Sequence, residues 1–426
     1  MTGSIFIQIA AYRDPQLGLT LRDACTQASD PSRLHFCVAW QHGDDECREA
    51  VFADLPGAPK LTILDIPHRE SRGACWARHQ IQQHYQGETY TLQLDSHHRF
   101  VSGWDDLCVE MLEGLRADGV AKPLLTAYLP SFDPDNDPAA RVSMPWQLEF
   151  DRFIPEGAIF IRPAAMPGWE ARTRPLRGRF YSAHFAFTLG AFAREVQHNP
   201  EYYFHGEEIS IAVRAYTHGY DLFYPHRLVA WHEYTRKGRA KHWDDHSTWW
   251  STNLSSHGHN RQLFGMDEFA EQPERVAESQ RGPFGFGPAR TLEDYERFAG
   301  ICFRRRAVTR ALLAAAEPSP DDNRGIPYAE FAQSCVPRFR HCIDLPRDRV
   351  ALDDYDFWSV AFKDAAGNEL HRQDADPAEI ERAKLDPDGA CKIWRDFDTE
   401  VQPKAWIVWP HSRAHGWCPP IAGTLG

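Results

Sequence analysis

Four apolar runs in the first hundred residues, "IFIQIA" (5–10), "LHFCVAW" (34–40), "LTILDIP" (61–67) and "YTLQL" (90–94), set the narrowest limit on what this chain can become. All are of strand length, and in the last Leu92 and Leu94 alternate with Thr91 and Gln93, the period of a strand. Between the runs, "TLRDACTQAS" sets Leu21, Ala24 and Cys25 on one face, and "GACWARHQIQQHY" does the same for Cys75, Arg78, His79 and Gln82, which is helical spacing. Strand, helix and strand repeated in this way predict an α/β fold with a largely parallel sheet. No G-x-G-x-x-G follows the first strand, and "GFGPAR" (285–290) lacks a third glycine and a preceding strand, so a Rossmann dinucleotide site is disfavoured.

At 426 residues, two domains are expected, and 42% hydrophobic residues exclude a disordered chain. Lys and Arg number 47 against 60 Asp and Glu, a net charge of −13, so neither nucleic acid nor an anionic membrane is an expected partner. The start "MTGSIFIQIAAYRDP" reads as a first strand rather than a signal peptide, and no segment approaches about 18 uninterrupted apolar residues. The ten cysteines form no C-x-x-C pair, which favours reduced thiols and a cytoplasmic location.

Beyond about residue 150, "IRPAAMPGWEARTRPLRGRF" predicts a long, partly irregular surface segment over the sheet edge. In "GEEISIAVRAYTHGYDLFYP", Ile209, Val213 and Tyr216 fall at i, i+4 and i+7 of a helix. "RTLEDYERFAGICFRRRAVTRALLAAAEP" reads as helical, and "PSPDDNRGIP" (318–327) as a linker closing a first domain of residues 1–317. Residues 328–426 read as a small β-rich domain, with Trp358, Val360 and Phe362 on one strand face, a Gly367-Asn368 turn, and "KAWIVWP" as another strand.

The run "YTLQLDSHHRF" ends on charged and imidazole side chains where a strand meets its C-terminal edge, the edge at which open α/β sheets bind ligands. Asp95 and His97, two apart around Ser96, point to the same side of an extended or gently turned backbone. An oxygen and a nitrogen suit a borderline divalent ion such as Mn²⁺, and are unusual for Ca²⁺. Spacing alone leaves open a plain strand-end cap. Glu207 and Glu208 likewise head a helix, where the dipole favours carboxylates whatever their use.

Six segments in order, "IFIQIAAYRDP", "SRGACWAR", "YTLQLDSHHRF", "FHGEEISIAVRAYTHGYDLFYP", "WHEYTR" and "RTLEDYERFAG", resemble the Skp1-type (hydroxyproline) N-acetylglucosaminyltransferases over about residues 5–300. The resemblance implies a GT-A fold, a UDP-sugar donor such as UDP-GlcNAc, a divalent metal, and transfer with retention to a protein or peptide hydroxyl. D-S-H is also similar to the D-x-H of polypeptide N-acetylgalactosaminyltransferases, which implies a distant histidine as the third metal ligand. His232, after the apolar "LVAW", is its counterpart, and His98 then falls behind the ligands. By the same resemblance Ala10, Tyr12 and Arg13 border the uracil and ribose, and Ser96 lies at the donor. Arg72, Gly73 and Arg78 are placed at the diphosphate, where a glycine entering a helix admits a close backbone and guanidinium groups pair with phosphate.

Glu207 and Glu208 resemble the acidic motif that faces acceptor and sugar hydroxyls. Arg281 and Arg290, around the glycines of "RGPFGFGPAR", are expected in a loop over the diphosphate. Trp249, Trp250 and Arg261 are candidates for an acceptor platform. The expected function is a metal-dependent, retaining glycosyltransferase. The alternatives are an inactive glycan or nucleotide-sugar binding protein on the same fold, or a metal-dependent nucleotide-sugar hydrolase.

Overall fold

The computed structural model describes residues 3–154, 156–235, 238–385, 390–399 and 401–425, without the side chains of 338–340. Arg236, which ends the "WHEYTR" segment, lies outside the described residues. The chain divides into two compact units. Met1–Asp151, Glu156–Ala299 and Ala315–Gly325 form the first; Arg152–Pro155, Gly300–Ala314 and Ile326–Gly426 form the second.

The first unit is an α/β sheet of eight strands. Its first four are β1 (Ile5–Tyr12), β2 (Leu34–His42), β3 (Lys60–Pro67) and β4 (Tyr90–Leu94), all parallel to their neighbours in the order β3-β2-β1-β4. Helices α1 (Leu17–Gln27), α2 (Arg48–Phe52) and α3 (Ala74–Gln82) alternate with them. Ile5, Ile7 and Ile9 pack with Leu17, Leu21 and Ala24 of α1 on one face, and Phe6, Cys37 and Ala39 meet Ala77 and Ile81 of α3 on the other. Both faces are covered, which is why these strands read as nearly continuous apolar runs.

Next come β5 (His98–Phe100), α4 (Trp104–Ala117), β6 (Pro123–Thr126), a hairpin of β7 (Trp146–Phe153) and β8 (Ile159–Ala165), β9 (Leu176–Arg177) and β10 (Phe185–Leu189). The segment expected to be partly irregular holds the end of β8 and all of β9, with non-strand chain between them. After α5 (Phe192–Glu195) and α6 (Glu207–Thr217), β11 (Asp221–Tyr224) completes the sheet order β3-β2-β1-β4-β10-β6-β11-β9. β10 runs antiparallel to β4 and β6, and β9 antiparallel to β11, so the parallel sheet expected from the first hundred residues becomes mixed beyond β4. Alternation with period two does not encode strand direction. Ile209, Val213 and Tyr216 of α6 are buried as the spacing predicts.

The helical run expected across 290–318 breaks at Gly300, where φ is +71°. The helix Leu292–Ala299 ends there, and Ile301–Cys302 pairs antiparallel with Ala307–Val308. Residues 300–314 group with the second unit and 315–325 with the first. Glu317 accepts from the Arg177 backbone N–H (3.1 Å) and pairs with Arg172 (3.1 Å). In the second unit, Trp358, Val360 and Phe362 of the strand Tyr355–Lys363 share a core with Ile343, Ile393 and Val408. Gly367 makes the expected turn with φ +87°.

α6 starts from Gly206, whose φ of +96° L-residues rarely adopt, and a Cβ there would lie 2.3 Å from Asn260 Nδ2. Gly206→Ala should therefore cost more than about 1 kcal/mol of stability in urea unfolding. An unchanged midpoint would show that the helix start adapts freely.

Candidate active site

β4 stops at Leu94, so Asp95, Ser96 and His97 form a turn at the sheet's C-terminal edge beside residues 13 and 14 that follow β1. Thr20 pins this turn: its hydroxyl donates to Ser96 O (2.8 Å) and accepts from the His98 N–H (2.9 Å). β5 then pairs antiparallel with β12 (Ala230–His232), with His232 opposite His98. The pairing brings the distant histidine to the aspartate. His232 Nε2 lies 3.5 Å and His97 Nε2 3.9 Å from Asp95 Oδ2, and one ligand atom from each of the three side chains falls within 4.8 Å of the others.

The set fits a divalent cation. His232 is buried and neither ring nitrogen has a hydrogen-bond partner of good geometry, a costly state unless something accepts the lone pair. Burial holds the His232 imidazole well below its ordinary pKa, as does the neighbouring His184, so it is neutral, the form that binds metal. Burial opposes ionisation of Asp95, but His232, the Arg78 guanidinium and His97 outweigh it and hold the carboxyl well below the usual range. One carboxylate oxygen and two imidazole nitrogens are a donor set for Mn²⁺ or a similar ion. His98 stands behind them, fully buried, with Nδ1 donating to Asp95 O (3.1 Å).

A cavity of about 490 Å³ opens over this edge, within the size range of small-molecule sites. Of the residues singled out in the sequence, it brings together Ala10, Tyr12, Gly73, Arg78, Asp95, Ser96, His97, Glu207, Glu208 and His232. Gly73 opens α3 with φ +104°, where a Cβ would lie 3.1 Å from the Tyr203 ring. Arg78 is buried and bridges Asp95 Oδ1 (3.0 Å) and Glu207 Oε1 (3.6 Å). It serves the carboxylates first.

Four expected arginines do not line the cavity. Arg13 pairs with Asp245 (2.8 Å) of α7 (His242–Asp245), beside Tyr12, whose hydroxyl donates to the same carboxylate (2.7 Å). Arg72 is exposed, its guanidinium 5.9 Å from the Trp76 ring centre. Arg281 is exposed and donates to Ala277 O (3.1 Å). Arg290 pairs with Asp221 (3.1 Å) and stacks over Tyr216, so both glycine-flanked arginines are engaged in local contacts. Trp249 and Trp250, at the exposed start of α8 (Trp249–Phe264), also stand outside the lining, and Arg261 pairs with Glu268 (2.9 Å). Asp14, Tyr128, His184 and Arg239 also line it, though none was singled out in the sequence. Arg239 pairs with Asp14 (3.0 Å) and Glu233 (2.9 Å), and His184 stacks on His232 at 4.2 Å between ring centres.

The two glutamates face different surroundings. Glu208 Oε1 accepts the Ala183 N–H (2.9 Å) and Oε2 the Tyr128 hydroxyl (2.7 Å), which oppose an upward shift that burial drives. Glu207 has the distant Arg78 and the charge of Glu208 beside it, and burial first, then that charge, push it up to about 8.

A family model described as glycosyltransferase (GlcNAc) matches residues 4–58 and 43–305. The chain belongs to this glycosyltransferase family. The match stops short of the Skp1-type acceptor. No curated protein matches the chain. Among solved structures, this family member is similar to GalNAc-T7 with UDP, GalNAc and Mn²⁺, at TM-score 0.44 and 13% identity over 66% of this chain and 52% of that one, about half its length. It is also similar to S. aureus TarS, at TM-score 0.37 and 11% identity over 99% of this chain and 78% of that one. The mannosyltransferase PcManGT from Pyrobaculum calidifontis, with GDP-Man and Mn²⁺, matches at 0.38 and 11% over 66% and 73%. Scores this low carry no weight beside the family match.

The Glu207 proton has a consequence for stability. An unfolded glutamate ionises near 4.5 and the folded one near 8, so between these values the native state binds more protons and stability falls as pH rises. Glu207→Gln removes that fall. Its melting temperature relative to wild type should rise between pH 5 and pH 8.5 by several degrees in calorimetry; a difference independent of pH would place the carboxyl in an ordinary environment.

Proposed function

We propose that the chain transfers GlcNAc from UDP-GlcNAc, with retention, to a hydroxyl of a protein or peptide. The observation that carries the reading is the convergence of Asp95, His97 and His232 in one cavity with Glu207 and Glu208, in a chain of the GlcNAc glycosyltransferase family. The layout of the first unit is consistent with the GT-A fold that such enzymes use. Every residue lining the cavity belongs to that unit, and the second is assigned an accessory role.

Asp95, His97 and His232 would hold a divalent ion, Mn²⁺ by donor chemistry. When bound, such an ion neutralises charge growing on the diphosphate as the glycosidic bond breaks. Tyr12, Tyr203 and His242, whose rings lie 5.0–5.2 Å apart in the pairs Tyr12–His242 and Tyr203–His242, offer an aromatic wall for the uracil at the end of β1. Gly73 lets backbone approach the diphosphate at the start of α3. Glu208, anchored by Ala183 and Tyr128, orients hydroxyls as an acceptor. Glu207, its carboxyl pushed up to about 8 by burial, is suited to donate a hydrogen bond to substrate and is a poor nucleophile. Attack by the acceptor hydroxyl on the face that the diphosphate leaves, with that diphosphate taking the proton, gives retention without a glycosyl-enzyme.

Ile159, Phe160, Phe204 and Trp243 make the far rim apolar. A hydroxyproline, apolar apart from its hydroxyl, suits this rim, in line with the Skp1-type resemblance. All ten cysteines are free, which fits a reducing cytoplasm, and among the described residues no helix is long and apolar enough to cross a membrane.

A panel of UDP-sugars with Mn²⁺ and hydroxyproline-, Ser- or Thr-containing peptides, read by mass spectrometry, tests the proposal. UDP-GlcNAc should give a peptide gaining one N-acetylhexosamine, and His232→Ala should lower the rate at least about 100-fold with the melting temperature little changed. Full turnover in excess chelator would remove the metal from the reaction; UDP release with no labelled acceptor would leave a hydrolase.

A further inference from the structure

Asp14, near the end of the segment "IFIQIAAYRDP", has no role assigned so far, yet it is buried against the metal-ligand turn with both oxygens engaged. Oδ1 accepts the Gln16 backbone N–H (2.9 Å). Oδ2 accepts the Ser96 hydroxyl (2.6 Å), His97 Nδ1 (2.7 Å) and Arg239 Nη1 (3.0 Å). An ionised carboxylate only accepts, so the short contact with Nδ1 requires the hydrogen to sit on Nδ1. Arg239 Nη1 touches the same ring nitrogen, but it too is a donor, and the two converge on one carboxylate oxygen. In the neutral ring that a metal ion binds, Nε2 then carries the lone pair, on the side of the ring that faces Asp95 Oδ2.

We infer that Asp14 is a positioning residue that fixes His97 in the Nδ1–H tautomer and in one ring orientation, so that Nε2 is presented to the divalent ion beside Asp95 and His232. The inference rests on the metal site proposed above and adds to it. Histidine ligands are oriented and made more basic by a carboxylate on the far nitrogen, and loss of that carboxylate commonly weakens metal binding about 10–100-fold. Here the carboxylate also ties the ligand turn, through Ser96, to Arg239 in the segment after β12. One side chain thereby braces both strand ends that supply ligands.

The test is calorimetric titration of Mn²⁺ alone into the full chain, so that no turnover is needed. Asp14→Asn keeps the volume but lets an amide N–H face Nδ1, which favours the tautomer with hydrogen on Nε2; Mn²⁺ affinity should fall about 10–100-fold. Asp105→Asn is the control, because Asp105 is a buried carboxylate held to Arg33 (2.7 Å) and the Ser29 N–H (2.7 Å) at the opposite edge of the sheet. It should lower stability and leave Mn²⁺ affinity unchanged. An affinity within about threefold of wild type in Asp14→Asn overturns the inference and spares the metal site, whereas equal losses in both variants overturn it in favour of general loosening. A wild-type protein that binds no Mn²⁺ overturns the underlying metal reading instead. If Asp14→Asn does not fold, ¹⁵N-histidine spectra of the wild type decide the matter: the ring whose signals vanish in His97→Gln should carry hydrogen on Nδ1, and hydrogen on Nε2 overturns the assignment.

Discussion

Three residues of antiparallel pairing, His98–Phe100 against Ala230–His232, determine where the chemistry of this chain is assembled. Without that ladder, Asp95 and His97 would end a strand as two polar residues, and His232 would be a histidine far along the chain. So short a ladder is weak alone and is reinforced at both ends. The Val101 N–H donates to Val229 O (3.1 Å), the His232 N–H to Pro130 O (2.9 Å), and the Glu233 N–H to His97 O (3.1 Å). The apolar neighbours Phe100, Val229 and Ala230 bury into the main core, so hydrophobic packing sets the register and the register sets the donor atoms.

Charge then shapes the cavity. Asp14, Asp95, Glu207 and Glu208 crowd into one lining with few cations, a costly arrangement that each carboxylate resolves differently. Arg78 compensates Asp95, Arg239 compensates Asp14, Glu208 takes hydrogen bonds, and Glu207 retains a proton. Carboxyl groups whose environments push them apart in this way can divide roles, one orienting as an acceptor and the other as a donor. His232, held neutral, and Asp95, held ionised, are in the protonation states that binding a divalent ion would require of them.

The strands of the first hundred residues were legible because both faces of the sheet are buried, and α6 because its apolar positions keep helical spacing. Asp95 and His97 were legible from their place at a strand end, and His232 only through resemblance. Asp14 was not, because its importance lies in a contact with His97 that no local pattern records. Arg281 and Arg290 looked like phosphate ligands beside glycines, but Arg290 is drawn to Asp221 and the Tyr216 ring, partners that only the fold brings near. The hairpin after Gly300 was hidden by residues with good helix propensity, which pairing with the strand Val336–Pro346 overrides. Fold class follows from periodic burial; contacts remote in sequence do not.

The central claim is that Asp95, His97 and His232 together hold a cation against a nucleoside diphosphate. Crystals grown with Mn²⁺ and UDP, with diffraction recorded at the manganese absorption edge, test it most directly. The account requires one strong anomalous peak within bonding distance of an Asp95 oxygen, His97 Nε2 and a His232 ring nitrogen, with the UDP phosphates completing its shell. Ordered UDP with no peak there, or a peak held by other side chains, would contradict it.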